Sequence, residues 1–196
     1  MCIRDRCSGA VSNANPESIA SRVLHWVEFS SFLKGLKSGR RPYLSSSNLL
    51  ITREDFMQSG GFSESYRMAE DLLFSAKSKG GLHFEGSVGV SHFHRTGWAG
   101  VRKHLHALGY WSGRLRGGGE VPGSWISRNR LACLLLPFYR TPAVIIRVFR
   151  AGRRVGVSAL IHAPLIFLAL IHWTGGFFRG LGDGPVEESG KVIGKQ

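Results

Sequence analysis

The sequence predicts an α/β domain followed by an arginine-rich, apolar and mainly helical segment. Strand-like and helix-like runs alternate between Ser8 and Arg116, the pattern of a mixed α/β domain. Gly117-Gly118-Gly119 and Pro122-Gly123 then form a linker. Beyond it, Val121 to Arg179 holds eight arginines and no Asp, Glu or Lys, interleaved with apolar stretches. The expected boundary separates 1–118 from 119–196.

Each element has a local reason. Ser8–Val11 reads as a strand. Asn15-Pro16-Glu17-Ser18 is a helix start, with Asn as cap and Pro at the first position. Ile19, Val23 and Val27 then recur at helical spacing until the Gly35–Gly39 region, and Arg40-Arg41-Pro42 breaks the run. Tyr43–Ile51 reads as a strand with Ser45-Ser46-Ser47-Asn48 at its centre, polar residues that suit a surface facing a polar ligand. Thr52 caps a short helix, with Asp55 at its third position. Gly60-Gly61-Phe62 is a turn, and Ala69–Ala76 is a helix that stops at Gly80-Gly81. Leu82–Phe84 and Val88–His92 read as short strands, and Val101–Arg116 as a basic helix.

Composition narrows the function. The 196 residues carry 26 Lys+Arg against 13 Asp+Glu, a net charge of +13. That balance points to nucleic acid, anionic lipid or a phosphate-bearing substrate. A hydrophobic content of 43% excludes wholesale disorder. Cys2, Cys7 and Cys133 are too scattered for a disulfide framework or a C-x-x-C knuckle. Walker A, G-x-G-x-x-G, H-E-x-x-H and G-x-S-x-G motifs are absent. In the tail, Leu131–Phe149 is interrupted by Arg140 and Arg147, and Val155–Phe178 has no formal charge over 24 residues. A spanning helix needs roughly 20 apolar residues. The densest run here, Ala159–Trp173, is 15 residues, so membrane contact competes with a buried helical pair.

Three features carry chemistry. Glu70-Asp71 sits at a helix start, where backbone N–H groups and the helix dipole favour the ionised carboxylate. Such a carboxylate can take a proton from a hydroxyl nucleophile. An ordinary first-turn acid pair is the competing reading. His92-Phe93-His94 puts two imidazoles on one side of a strand, able to approach a metal or simply to end the strand. Gly60-Gly61-Phe62 allows close backbone approach beside an aromatic that can stack on a sugar.

The ordered set Leu44–Phe56, Gly60-Gly61-Phe62, Ala69–Phe74, Gly80-Gly81 and Val88–His92 resembles the second half of a family 2 glycosyltransferase of GT-A (Rossmann-like) fold. The resemblance covers roughly Ser8 to Arg116. It implies Asp71 as catalytic base with Glu70 beside it, and Asn48, Gly60, Gly61 and Phe62 on the acceptor side. It further implies His92, with His94 as alternative, on a divalent metal (Mg or Mn), and Arg114 and Arg116 near the donor diphosphate. The partners implied are a nucleotide-sugar donor, a glycan or lipid-linked acceptor and membrane lipids, at the cytoplasmic face of a bacterial inner membrane. The family's nucleotide-binding half, ending in D-x-D, is missing: the only aspartates are Asp5, Asp55, Asp71 and Asp183. Together with the leader-like Met1–Arg6, this leads to the expectation of a C-terminal fragment, inactive alone.

Two other classes compete. A non-catalytic basic membrane- or nucleic-acid-binding module is the first. Nucleic acid is not the expected partner, because the tail arginines alternate with aliphatic runs rather than stacking aromatics. A metal-dependent hydrolase on His92, His94, His104 and His106 ranks last for want of an acidic ligand.

Overall fold

The computed structural model describes residues 6–78, 80–119 and 121–186; the leader-like opening, apart from Arg6, lies outside them. Four strands and seven α-helices are present among the described residues. The strands are β1 (Arg6–Asn13), β2 (Gly39–Arg40), β3 (Leu49–Ile51) and β4 (His83–His92). They form one mixed sheet in the order β2-β4-β1-β3. β1 runs parallel to β4 and antiparallel to β3, and β2 is antiparallel to β4. The β1–β4 register shifts between Gly9 and Ala10, whose partners are Glu85 and Gly89. The two strands expected at Leu82–Phe84 and Val88–His92 are thus one bulged strand.

The helices before the linker are α1 (Ile19–Phe29), α2 (Arg53–Gln58), α3 (Glu70–Lys77) and α4 (Trp98–Gly117). Ser18, not Asn15, caps α1, its side chain accepting from the Ser21 N–H. Asn15 is committed elsewhere. Its Nδ2 donates to the His94 carbonyl at 2.8 Å and its Oδ1 accepts the His94 N–H at 2.9 Å. That clamp ties the start of α1 to the segment after β4. The strand expected over Tyr43–Ile51 is only Leu49–Ile51, preceded by a 3₁₀ turn at Ser46–Asn48. The reason is local: the Ser45 hydroxyl accepts the Ser47 N–H and turns the chain.

The tail folds as α5 (Leu136–Ala151), α6 (Arg153–Ile161) and α7 (Ala163–Asp183). The uncharged run from Val155 breaks at His162, where Pro164 opens α7. The hydrophobic core includes Ala10, Val11 and Phe84 from the sheet, Val23 and Leu24 from α1, Leu105 from α4, and Val148, Ile166 and Phe177 from the tail.

α7 packs on α4 through a pair of G-x-x-x-G motifs. Gly109 and Gly113 of α4 abut the carbonyls of Trp173 and Phe177. Gly176 and Gly180 of α7 abut those of His106 and Tyr110. A Cβ at any of the four would collide with the opposing backbone. The register makes the helices parallel, and the glycines bring their backbones into contact.

Two segments, Arg130–Ala151 and Ala163–Asp183, are long and apolar enough to cross a membrane. They differ in exposure. The most apolar window of the second is 50% buried inside the fold, that of the first 28%. α7 is therefore largely a core helix, whereas α5 leaves Phe138, Tyr139 and Ile146 in the open. Exposed Leu131, Leu134 and Leu135 precede it, and exposed Val155, Val157, Leu160 and Ile161 follow on α6. Such a density of exposed apolar side chains marks a membrane or protein contact surface.

Candidate functional site

A cavity of about 610 Å³ lies where α1, the serine turn, α3, α4 and α5 converge. Three consecutive serines, Ser45, Ser46 and Ser47, form part of its wall. Their polarity therefore faces a cavity, as the sequence pattern implied, although on a turn and not a strand.

Glu70 and Asp71 enter the same cavity from the start of α3. Ala69, the residue before them, has φ 65° and ψ 17°, and among the described residues it is the only non-glycine with positive φ. This left-handed turn costs roughly 1 kcal/mol or more. It also aims the acid pair into the cavity at the point where the helix begins. Asp71 Oδ2 accepts the Ser46 N–H at 3.2 Å. The carboxyl is half-buried. Burial pushes it up to about 6 from its ordinary value of 3.8, against the backbone N–H of Ser46, with the Glu70 and Glu28 charges pushing the same way. The helix start was expected to favour the ionised form of this group. Desolvation outweighs the dipole, and the result is a carboxylate with useful basicity near neutral pH.

Arginines provide the opposing charge. Arg116 of α4 and Arg140 and Arg147 of α5 line the cavity. Arg140 lies over the Trp173 ring with its guanidinium carbon 3.9 Å from the centroid. Burial holds the Arg116 guanidinium below its usual range. Arg114 turns away. It donates to the Gly184 and Pro185 carbonyls at 2.7 and 3.0 Å, so it closes the end of α7 rather than approaching a ligand in the cavity.

The other expected residues lie elsewhere. Asn48 Nδ2 donates to the Ala10 carbonyl at 3.1 Å and stitches the serine turn to β1. Gly60 and Gly61 both have positive φ, as a tight turn requires, and Phe62 packs against Phe56 and Phe74. None of these four lines the cavity.

His92 belongs to a separate buried cluster behind α1. Its ring lies 4.5 Å from that of His94 and 5.4 Å from that of Phe29. His25 Nδ1 and His94 Nε2 are 3.0 Å apart, a hydrogen bond between two imidazoles. Burial lowers His25 to about 4 and His94 to about 3, so both are neutral at pH 7. Glu28 connects the two regions: it lines the cavity, and its Oε1 is 3.3 Å from His104 Nε2. Its Oε2 lies 3.8 Å from His94 Nδ1. The described residues alone do not complete a metal site at His92. No group of three or more His, Cys, Asp or Glu among the described residues is arranged to hold an ion. The ring contacts of His92 are imidazole and phenyl rather than the oxygens a hard cation requires.

Sequence reasoning missed Glu28, Arg140 and Arg147 as cavity residues. The spacing of the arginines, seven apart on one helix and hence on one face, was the available signal.

No family model matches the chain, and neither a curated protein nor a solved structure does.

Proposed function

We propose that this chain is the acceptor-side half of an inverting family 2 glycosyltransferase of GT-A fold, working at the cytoplasmic face of a bacterial inner membrane. The supporting observation is the position of Asp71: the residue the sequence resemblance names as base lines one cavity with arginines, and burial pushes its carboxyl up to about 6. In the proposed step, the acceptor hydroxyl gives its proton to Asp71 as its oxygen bonds to the anomeric carbon of the donor sugar. The bond from that carbon to the nucleoside diphosphate breaks, and the electron pair leaves with the diphosphate. The Ser46 amide orients the base. Arg116 offers charge to a phosphoryl oxygen, and its guanidinium suits phosphate geometry. The exposed apolar and arginine-rich face of α5 and α6 supports attachment in the headgroup layer.

The basic residues line a cavity beside aliphatic helices, which supports this reading over a nucleic-acid platform. The test is transfer of tritiated sugar from UDP-, GDP- and dTDP-sugars into membrane lipid or glycan. The chain is to be expressed alone and joined to any reading frame continuous with it upstream. Incorporation that depends on Asp71 supports the proposal. Absence of incorporation in both forms, with every donor, counts against it.

A further inference from the structure

We infer that the cavity takes a phosphate-bearing lipid, with the phosphate against Arg116, Arg140 and Arg147 and the apolar chain leaving past Trp125 and Tyr139. The inference rests on the proposed transferase reading only for its last part, that the lipid's transferable hydroxyl points toward Asp71.

Charge is the first argument. Arg116, Arg140 and Arg147 line one cavity from two helices, and among the described residues none of them forms an ion pair. Arg140 feels the like charges of both others. The carboxylates of the cavity, Glu28, Glu70 and Asp71, stand on α1 and α3, and none pairs with these arginines. The half-buried Arg116 and Arg140 and the exposed Arg147 bring like charges to one cavity, an anion with several oxygens stabilises such a set, and guanidinium forks match phosphate.

The rim is the second argument. Trp125 and Tyr139 both line the cavity yet are 70% and 73% exposed. Tyr139 stands beside exposed Phe138, and exposed Leu134 and Leu135 precede it. Trp and Tyr favour the headgroup level of a bilayer, where one end is apolar and the other wet. A free phosphate would use the arginines and leave this rim without a role. A neutral lipid would use the rim and leave the cations unpaired. A lipid phosphate uses both.

The test is equilibrium binding to the purified full chain in neutral detergent, read by tryptophan fluorescence, since Trp125 and Trp173 both line the cavity. The probes are farnesyl phosphate, farnesol and inorganic phosphate. Farnesyl phosphate should saturate the signal, and each of the other two should bind at least about tenfold more weakly, as expected for losing a charge-assisted hydrogen-bond set. Arg140→Gln and Arg147→Gln should each weaken farnesyl phosphate by about tenfold on the same grounds. Arg147 is exposed, so its variant keeps the fold even if removing Arg140 from Trp173 does not. Farnesol binding as tightly as farnesyl phosphate would overturn the inference. Inorganic phosphate matching it would overturn the lipid assignment, and unchanged affinity in Arg147→Gln would remove the arginine wall. The assay contains no sugar donor. Binding without any transfer would therefore sink the transferase reading alone, and transfer to an acceptor with no phosphate would sink this inference alone.

Discussion

Asp71 and Ser46 meet across 3.2 Å, the carboxylate of the α3 start accepting the backbone N–H of the serine turn. Two segments separated by 25 residues in sequence are thereby locked on one wall of the cavity. The bond favours the ionised form, yet burial dominates and the carboxyl titrates near 6. The native state therefore holds a proton that the unfolded chain releases at its ordinary 3.8. Stability present below pH 3.8 is lost as the pH rises through 6. Asp71→Asn keeps the amide contact and removes that loss. It should stabilise the protein at pH 7.5 by on the order of 1–2 kcal/mol and leave stability near pH 3.5 unchanged. Thermal unfolding at the two pH values measures this; equal melting shifts at both would contradict the burial argument.

The histidine pair has the opposite sign. His25 and His94 are held below their ordinary 6.5 by burial first and by neighbouring histidines second, with Arg95 also pressing on His94. Their contribution is complete above pH 6.5 and lost as the pH falls toward 4 and below. Replacing His25 by Gln should flatten the acid limb of a urea-stability profile between pH 6.5 and 4. A variant profile with the same slope as wild type would show that this pair does not set it.

Backbone contact between α4 and α7 makes a sharp contrast within one helix. A side chain at Gly176 would strike the His106 carbonyl, whereas a Cβ at Gly175 meets nothing within 4 Å. Gly176→Ala should destabilise by about 2–3 kcal/mol through forced separation of the helices. Gly175→Ala should be neutral or stabilise by about 0.5–1 kcal/mol by restricting the unfolded chain. Melting temperatures of the two variants decide it.

Ala69 turns the chain with positive φ just before the acid pair. Ala69→Gly removes the Cβ clash of that conformation and should stabilise by about 1 kcal/mol, as read in chemical denaturation. Ala69→Val should lose more than the glycine variant gains, because branching at Cβ worsens the same clash.

Legibility in the sequence followed the range of the interaction. α3 and α4 were readable within a few residues of their ends because apolar spacing and glycine stops are local. The G-x-x-x-G spacings of Gly109–Gly113 and Gly176–Gly180 drew no notice in the sequence, because their parallel pairing across the linker is a long-range contact. The serines at 45–47 line the cavity, while hydroxyl-to-backbone bonding chose a turn over a strand. Asn15 carried a cap signature and instead clamps His94, 79 residues away. Glu70-Asp71 was legible as a helix-start acid pair, and the family resemblance singled out Asp71; the dipole that favours its charged form is local, whereas the burial that overrides it depends on tertiary packing. Arg140 and Arg147 were legible only as charge. Their convergence with Arg116 depends on how the tail folds back on the sheet domain.

The most direct test of the central claim is sugar transfer by Asp71→Asn. With the chain in membranes, joined to any upstream frame and supplied with the donor that labels the wild type, the expected result is at least a ~10³-fold loss of incorporation. Binding of the nucleotide sugar should stay within a factor of about two, as expected for a group that acts on the acceptor hydroxyl. Incorporation at the wild-type rate would contradict the assignment of Asp71 as the base.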